Sequence, residues 1–584
     1  MNRKLFPLIV LPVLLLSSCS CSIFRNTEVK TIDVYNIDVF ENSLKDCKTN
    51  EIKARFFKNE PYVPYISLKQ YASLYDSHFA NGVESSVSKK GSIVTWTVIA
   101  DNTLYFHTQI DFKKLEVVTA GSLESTYKTS DDARDVASLY YGNKTEYQTK
   151  LLGNSYYAHY SFADLDINHF SYLGEYYLPL SFYDITYCFD SSLYFYYNYN
   201  AIYSSRDIEN FYTKDIGTSS RSKCVVSEML TYKDDDSIPS YLLDLNNNLF
   251  FYLLDNFYGL KQYKGIETAV DYCKKIGTYK RLFSGDDTIR TQAYAETLDR
   301  LDDNHTALVA NSFVWGTTAY DARKFGTNCI NRSSLRTSLT NLRAQKTSNS
   351  YRSGSEYLIS NDRKTAMFLF DEFKFGATQE VFNKDGTINS SARYYDSFYS
   401  LLAFFKELKN TGTVENVVID MSTNGGGVLG VLMKVLALIS KNNQGSLYYL
   451  EAASQQLGIA LTQVDSDDNG LYNADDCYGD DFNLYILTSD CSFSCGNAFP
   501  CLAQEIGCAK VIGQKSGGGE CAVAVHYLPN GEYVYHSSNL HLGYYDEQNN
   551  AFIGFENGAQ PDILVNDIND FYSINALSSL IENS

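Results

Sequence analysis

The chain has 584 residues, which at about 150 residues per domain predicts several folded units rather than one. Its net charge is -20 and it contains no long basic run, so nucleic acid is not expected as a partner. Tyrosine and phenylalanine are abundant, with 49 and 34 copies, and this favours β-rich packing.

The first segment has the features of an export signal. Residues 1–4 include the basic residues Arg3 and Lys4, and residues 5–16 form an apolar stretch that is too short to span a bilayer. The Leu-Ser-Ser-Cys sequence that ends at Cys19 resembles a bacterial lipobox, in which this cysteine receives a lipid and becomes the first mature residue. We therefore predict a signal peptide at 1–18 and an extracytoplasmic protein that is lipid-anchored to the cell membrane. Ordinary signal cleavage, which would give a secreted protein, is the alternative.

After a predicted linker at 19–31, aromatic and polar residues alternate through 32–238. This period of two is typical of half-buried strands, so we predict a β-rich accessory region. Within it, residues 61–68 and 176–182 look like two copies of one unit, each with a strand, a proline-containing turn, a short helix and an aromatic hairpin. The region shows no pattern of reactive residues, and a spacer or substrate-binding role is expected for it.

Residues 239–310 have the spacing of helices. Leu249, Tyr252, Leu253 and Phe257 recur at intervals that place them on one helix face. A helical subdomain is therefore predicted before the last unit.

Residues 311–584 alternate between strand-like and helix-like segments. The predicted strands are 366–370, 417–421, 484–487 and 510–512, and the predicted helices are 394–408, 428–439 and a segment after residue 494. Such alternation implies β-α-β crossovers and a mostly parallel sheet. The predicted fold class is therefore multidomain α/β: a mostly parallel crossover sheet, a helical subdomain and a β-rich N-terminal region.

Two turns in this unit follow apolar strands. In the first, the strand at 417–421 leads into Asn424 and a glycine triplet that includes Gly425 and Gly426, where backbone N–H groups can approach a ligand closely. In the second, the strand at 484–487 leads into Ser494 and Cys495 at the start of a helix. Both turns fall at the carboxyl ends of strands, where open α/β sheets bind ligands. Together they predict a hydroxyl nucleophile beside an oxyanion site.

The two turns and the later Val-Ile-Gly at 511–513 resemble the core of the tail-specific (C-terminal processing) and tricorn-type serine peptidases. The resemblance covers about the C-terminal half, from near Leu298 to the end. It implies that 311–584 is a serine peptidase core in which Ser494 is the nucleophile. Cys495 N–H and an amide of Gly425 or Gly426 would be the oxyanion donors.

A serine hydroxyl needs a base to remove its proton. In tail-specific proteases the base is a lysine, which in register with this sequence would fall at Gly519; Lys515 lies four positions earlier. The tricorn-type peptidases use a histidine, and the segment around His305 is similar to theirs. The resemblance therefore implies that His305 is the general base.

A later segment, 553–563, is similar to the one that supplies a glutamate to the tricorn tetrad. That similarity implies that Glu556 supports His305. The tetrad also contains a serine before the histidine, and here Asn304 stands in its place. A solvated carboxylate with no catalytic role is the alternative for Glu556.

Metal ligands are predicted at one place only. Asp465, Asp467, Asn469 and Asp476 occupy positions 1, 3, 5 and 12 of a loop similar to an EF-hand calcium loop, with an aspartate in place of the usual final glutamate. We predict a structural Ca²⁺ there, with an acidic solvated insertion as the alternative. No other cofactor is required, and zinc is not predicted because Cys-x-x-Cys and His-Glu-x-x-His motifs are absent from the sequence. Of the thirteen cysteines, six lie between 477 and 521, which permits disulfides near Ser494.

The sequence thus predicts an exported serine endopeptidase that cleaves polypeptides with a serine nucleophile and a histidine base. A non-catalytic surface binding protein that keeps the peptidase fold is one alternative, and a Ser-Lys dyad peptidase is the other.

Overall fold

The structure is a computed structural model that describes residues 26–37, 47–123, 126–127, 143–151, 157–206, 238–310, 312, 324–347, 351, 356–383 and 387–584. The predicted signal peptide and Cys19 lie outside the described residues. Within the described part, the chain forms helices and several sheets, as the predicted α/β class requires.

The N-terminal region is built mainly from strands, as its alternating aromatic pattern predicts. The strands are β1 (Thr27–Asn36), β2 (Lys48–Phe57), β3 (Glu60–Ile66), β4 (Val83–Lys90), β5 (Ile93–Ala100), β6 (Thr103–Asp111), β7 (Glu116–Gly121), β8 (Asn143–Leu151), β9 (Ala158–Ser161), β10 (Phe170–Tyr172), β11 (Glu175–Pro179), β12 (Tyr194–Tyr197) and β13 (Ile202–Ser205). Among the described residues of this region, the helices are α1 (Leu68–Ser73) and α2 (Leu180–Ser191). One sheet has the order β10-β11-β3-β2-β1-β13-β12 and another has the order β4-β5-β6-β7-β9.

The two predicted copies do share a local structure. In each copy a strand leads directly into a helix, β3 into α1 and β11 into α2, and the two strands pair antiparallel. Ser67 caps α1 through a capping box, and the rings of Tyr71 and Tyr183 stack with centroids 5.1 Å apart. The copies therefore meet in one aromatic core.

The helical subdomain contains α3 (Ser240–Asn256), α4 (Ala269–Ile276), α5 (Tyr279–Leu282) and α6 (Asp287–Asp299), and is followed by β14 (Ala307–Ala310). The side chains of Thr268 and Asp286 accept backbone N–H groups at the starts of α4 and α6. Leu249, Tyr252, Leu253 and Phe257 are all buried. The face predicted from their spacing therefore packs against the core.

The last unit has a six-stranded sheet with helices on both faces. Its elements are α7 (Thr327–Lys346), β15 (Leu358–Ile359), β16 (Thr365–Leu369), α8 (Thr378–Val381), α9 (Ser397–Thr411), β17 (Asn416–Asp420), α10 (Leu429–Ile439), β20 (Asn483–Thr488), α11 (Cys495–Glu505), β21 (Lys510–Gly513), β25 (Ile563–Leu564) and α12 (Ile574–Glu582). The strand order is β15-β16-β17-β20-β21-β25, and every pair after β15-β16 is parallel. Side chains of α9, α10 and α11 pack in one apolar cluster, and those of α7 and α12 in another. The predicted crossover sheet is confirmed.

A further sheet joins the N-terminal region to this unit. It contains β18 (Gly445–Glu451), β19 (Gln456–Val464), β22 (Cys521–Tyr527), β23 (Tyr533–Asp546) and β24 (Ala551–Gly554). Its order is β14-β23-β18-β19-β8, with β22 and β24 also paired to β23. Because β8 comes from the region predicted as accessory, that region contributes a strand to a sheet of the C-terminal half.

The cysteines in the described part are present as thiols. Ten of them are described, including all six between 477 and 521, and none of these ten is in a disulfide. Among the described residues, no helix combines the length and the apolar character needed to cross a bilayer.

Candidate active site

The glycine turn and the serine turn lie side by side at the sheet edge. Strands β17 and β20 are parallel neighbours, so their carboxyl ends meet at one place. There, the N–H of Phe493 donates to the carbonyl oxygen of Asn424 at 3.0 Å, and the Asn424 side chain donates to the carbonyl oxygen of Phe370 at 2.8 Å. The juxtaposition predicted from the two motifs is thus present.

Ser494 has a strained backbone conformation. Its φ is +57° and its ψ is -127°, and it directly precedes α11. A non-glycine residue with positive φ at a strand-to-helix turn is the conformation that exposes a nucleophilic hydroxyl at the top of an α/β sheet. The side chain is half-buried, and its N–H is anchored to the Gly518 carbonyl oxygen at 3.0 Å.

Gly426 lies directly against Ser494. Its φ is +108°, and a Cβ built there would be 2.8 Å from the Cβ of Ser494 and 3.1 Å from the backbone nitrogen of Cys495. Only glycine permits this close approach. The turn therefore places backbone next to the hydroxyl, as an oxyanion site requires.

The two glycine amides differ in their partners. The N–H of Gly426 donates to the side-chain oxygen of Asn424 at 2.8 Å, so it is engaged within the turn. Gly425 is exposed and lines the cavity described below. The Cys495 N–H is at the first turn of α11, where backbone donors have no partner within the helix. The geometry therefore favours Gly425 with Cys495 over Gly426 as donors.

The Cys495 thiol is not arranged as a nucleophile. It donates to the carbonyl oxygen of Gly427 at 3.2 Å, and burial raises the pKa of Cys495 to about 12. A thiol of this kind stays protonated near neutral pH, so it lacks the thiolate that attacks a carbonyl. Ser494, one position earlier, is the remaining candidate.

Pro500 has an unusual position, since proline is normally tolerated only in the first turn of a helix. It lies inside α11 rather than at its first residue. Its missing N–H removes the donor that would pair with the Gly496 carbonyl oxygen. The helix nevertheless continues to Glu505, since its apolar face, including Ala498 and Phe499, is buried in the core.

His305 reaches the same place from the helical subdomain. It follows α6, is 9% exposed, and its ring packs edge-on against that of Phe493 with centroids 4.8 Å apart. Asp303 fixes the approach, because its carboxylate accepts the His305 N–H at 2.9 Å and the hydroxyls of Thr306 and Ser537 at 2.6 and 2.8 Å. The structure thus brings the imidazole to the residue that precedes Ser494.

A cavity of about 640 Å³ opens at this point. Its lining includes Asn304, His305, Arg332, Gly425 and Phe493. The predicted base and the predicted oxyanion glycine therefore face one space beside the serine turn.

The position at which a catalytic lysine would lie is occupied by other atoms. A Cβ at Gly519 would be 2.5 Å from the ring of Phe493, and the φ of Gly519 is +87°. Lys515, the nearest lysine in sequence, is exposed. The aromatic ring that packs against His305 thus fills the space in which a lysine at 519 would start.

Glu556 is partly buried and lies beside the buried carboxyl group of Glu520. Its carboxylate accepts the N–H groups of Gly519 and Glu520, both at 3.1 Å, and its own N–H donates to the Glu520 carboxylate at 2.8 Å. Burial, together with the nearby charges of Asp303 and Glu520, raises the pKa of Glu556 to about 7. The sequence analysis did not identify Asp303 and Glu520, whose negative charges both raise the pKa of Glu556.

Two arginines of α7 were also missed. Arg332 donates to the carbonyl oxygens of Asp490 at 2.6 Å and Gly517 at 2.8 Å, and its guanidinium lies over the Phe493 ring. Arg336 donates to the carbonyl oxygens of Thr423 and Cys491. Their i, i+4 spacing is the signal that places both on one helix face. Helix α7 thereby ties the glycine turn to the serine turn.

The predicted calcium loop connects β19 to a short 3-10 turn, rather than two helices as in an EF-hand. Carboxylate oxygens of Asp465, Asp467 and Asp476 lie within 4.8 Å of one another. These side chains accept backbone N–H groups of the loop, and Asn469 likewise accepts the N–H of Leu471 at 2.7 Å. The oxygen ligands are suited to Ca²⁺, and calcium binding here stays a prediction.

Comparison with known protein families gives a match to the segment that contains the glycine turn and the serine turn. The family model described as Peptidase family S41 matches residues 388–565, which include both turns and Glu556. No curated protein sequence matches the chain.

Three solved structures illustrate the likeness. A candidate peptidase from Parabacteroides merdae is 16% identical, with 59% of this chain and 98% of that chain covered and a TM-score of 0.40. Mature CPAF complexed with lactacystin is 12% identical, with 59% and 97% covered and a TM-score of 0.39. The tricorn protease is 12% identical, with 86% and 59% covered and a TM-score of 0.31. Because each TM-score is below 0.5, no residue role follows from these likenesses.

Proposed function

We propose that the chain is a serine endopeptidase with Ser494 as nucleophile and His305 as general base, and the match of residues 388–565 to the model of peptidase family S41 supports this. The observation that carries this assignment is the contact of the His305 ring with Phe493, the residue before Ser494, at a shared cavity. An imidazole there can accept the hydroxyl proton and return it to the leaving amine near neutral pH.

The surroundings of Phe493 favour histidine over lysine as the base. The ring stands where a side chain at Gly519 would begin, and Arg332 covers it with a guanidinium 4.7 Å from its centroid. Lys515 is directed to the exposed surface, where water solvates its ammonium group. A Ser-Lys dyad would need the lysine to displace this packed ring.

The remaining groups complete an acyl-transfer site. The amides of Cys495 and Gly425 would stabilise the oxyanion of the tetrahedral intermediate, since fixed backbone donors need no reorganisation as charge develops. Glu556 would support the imidazolium that forms on His305. Because its pKa is about 7, this support grows as the carboxyl group ionises through neutral pH.

The substrate class we propose is a polypeptide held in extended form beside the sheet. The cavity next to Gly425 and Phe493 is large enough, at about 640 Å³, to hold side chains of such a segment. Binding energy from residues away from the cleaved bond would then orient that bond against Ser494.

The cellular location is proposed from the sequence. The basic and apolar segments at 1–16 support export, and the motif ending at Cys19 supports lipid attachment there. In cells, Cys19→Ala should release the protein from the membrane fraction into the soluble fraction. A wild-type N-terminus whose mass carries no lipid would contradict the anchor and leave ordinary secretion.

The experiment that tests the activity measures cleavage of quenched fluorescent peptides and of an unfolded protein by the purified chain. We expect Ser494→Ala and His305→Ala to abolish cleavage and Lys515→Ala to retain it. Loss with Lys515→Ala and retention with His305→Ala would overturn the proposed base. Correctly folded wild-type protein that cleaves none of the peptides and does not react with active-serine reagents would favour a binding role.

A further inference from the structure

A second group of reactive side chains lies behind Glu556. Cys521 opens β22 and His541 lies opposite it on β23, so the two side chains are a cross-strand pair. Glu520, the preceding residue, turns its carboxylate toward them. One ligand atom from each of the three residues lies within 4.8 Å of the others.

The three donors differ in chemistry. The Nδ1 of His541 is 2.6 Å from the Oε1 of Glu520 and 3.8 Å from the Sγ of Cys521. A thiolate, an imidazole and a carboxylate form the ligand set that zinc accepts, with a fourth position left for water. The sulfur and nitrogen donors select against Ca²⁺ and Mg²⁺, which prefer oxygen.

The ligands are held in place by their surroundings. The second oxygen of Glu520 accepts the Glu556 N–H at 2.8 Å and lies over Gly554, where a Cβ would be 2.0 Å from it. The side chains of His541 and Glu520 keep 14% and 11% of their surface exposed, so a cation can reach them from solvent. Oriented ligands with outer hydrogen bonds are what a metal site requires.

The spacing explains why sequence motifs gave no sign of this site. Two ligands are adjacent in sequence, but the third is twenty positions later and reaches them only because β22 and β23 pair. No short zinc motif has this form.

We propose that Glu520, Cys521 and His541 bind a transition-metal cation of the zinc class, and that the bound cation restrains the peptidase through Glu556. On binding, the thiol proton leaves to solvent and the imidazole proton moves to Nε2, so that Sγ and Nδ1 each offer an electron pair to the cation. The Glu520 carboxylate, which now holds the Glu556 N–H, becomes a ligand, and this connects the metal to the glutamate. The restraint of the peptidase rests on the proposed function, whereas the binding of the cation does not.

The test uses Co²⁺ as a spectroscopic probe on the full chain in the Ser494→Ala background, which removes peptidase activity. We expect one equivalent of Co²⁺ to produce the near-ultraviolet absorption of a cobalt-thiolate bond, and Zn²⁺ to abolish it. Cys521→Ser should lose this absorption, and His541→Ala should weaken Co²⁺ binding by about 10-fold or more. Cys508→Ser is the matched control, since Cys508 is also buried but lies outside the group.

Several outcomes would overturn the site. They are absence of the thiolate absorption, its persistence in Cys521→Ser, or equal affinity in His541→Ala, with circular dichroism showing each variant folded. Binding at the oxygen ligands of the Asp465 loop would give no thiolate absorption and so would be recognised. If Cys521→Ser does not fold, His541→Ala decides alone.

The restraint is measured separately on the active chain. Zn²⁺ should lower peptide cleavage in the wild type and leave His541→Ala unaffected at the same concentration. Binding without any change in cleavage would refute the restraint and keep the site. Absence of cleavage even without metal would count against the proposed function, and the cobalt spectrum would still decide the site.

Discussion

In the aromatic N-terminal region, buried hydroxyl groups bond to one another, whereas around Ser494 buried and partly buried carboxyl groups lie close together. Tyr71 and Tyr75 share a hydrogen bond of 3.0 Å, and Thr108 and Tyr187 share one of 2.9 Å. Around the site, by contrast, burial and the nearby carboxylates of Asp303 and Glu520 raise the pKa of Glu556. Neutral pairs satisfy each other without a net charge, but neighbouring carboxylates disfavour each other's ionised form.

This difference indicates where the molecule carries its chemistry. A buried carboxyl pair costs stability and is typically kept at a site that uses it. A network of neutral hydroxyls and rings fits a region that supplies shape and packing. The experiments below test this division, from the largest expected effect to the smallest.

The largest effects are expected at the proposed nucleophile and base. Ser494→Ala and His305→Ala should each lower kcat by roughly 10⁴-fold to 10⁶-fold, because the two act as one unit. The double variant should be no worse than either single one. Michaelis-Menten kinetics on one quenched peptide would measure this, and additive losses would contradict a shared role.

The close approach of Gly426 to Ser494 gives a smaller effect. Gly426→Ala puts a Cβ 2.8 Å from that of Ser494, so the hydroxyl must shift. A displacement of this size should cost about 10²-fold in kcat. Gly412→Ala is a control with nothing within 4 Å of the new Cβ, although its positive φ also costs some stability. Unchanged kinetics in Gly426→Ala would argue against the proposed geometry.

Glu556 should impose a pH dependence. With a pKa of about 7, its carboxyl group ionises as pH rises through neutrality, so kcat should rise over that range. Glu556→Gln should lower kcat and remove the rise assigned to this group, while leaving any rise from His305. A pH profile of kcat from 5 to 9 measures this; identical profiles would show that Glu556 has no part in the reaction.

Asp184 is a carboxyl group with a raised pKa in the N-terminal region, and it serves as the counterpart of Glu556. A substitution there should change the stability of the protein but not its activity. Burial raises the pKa of Asp184 to about 8, although its carboxylate accepts the Phe195 N–H at 2.7 Å. The pKa of Asp184 in the folded protein lies above its value in the unfolded chain. The stability that this group contributes is therefore complete below about pH 4 and is lost as pH rises through 8. Asp184→Asn should remove this loss, which is at most about 1.4 kcal/mol per pH unit. Urea unfolding at pH 5 and pH 8 measures this loss of stability. If Asp184→Asn changed kcat without changing the stability, the N-terminal region would take part in the chemistry, contrary to the division described here.

The fold of the C-terminal unit was largely predictable because its signals are local. The strand predicted at 417–421 is found at Asn416–Asp420, and the helix predicted at 428–439 is found at Leu429–Ile439. Apolar runs and glycines specify such elements within a few residues of sequence. The site was predictable to the extent that it lies at the ends of these strands.

The rest depends on contacts between distant residues. The pairing of β8 with β19, the guanidinium of Arg332 on the serine turn, and the meeting of Cys521 with His541 each join segments that no local pattern relates. Phe493 shows the same limit, since it reads as a core aromatic yet occupies the space of a lysine. Long-range packing decides these features, and one sequence does not display it.

The most direct test is labelling of the intact chain with a fluorophosphonate, followed by mass spectrometry of the labelled peptide. The central prediction is that the label is found on Ser494 in the wild type and in Lys515→Ala, and that His305→Ala lowers the labelling rate by orders of magnitude. A label on another residue, or an unchanged rate in folded His305→Ala, would contradict the proposed pairing of Ser494 with His305.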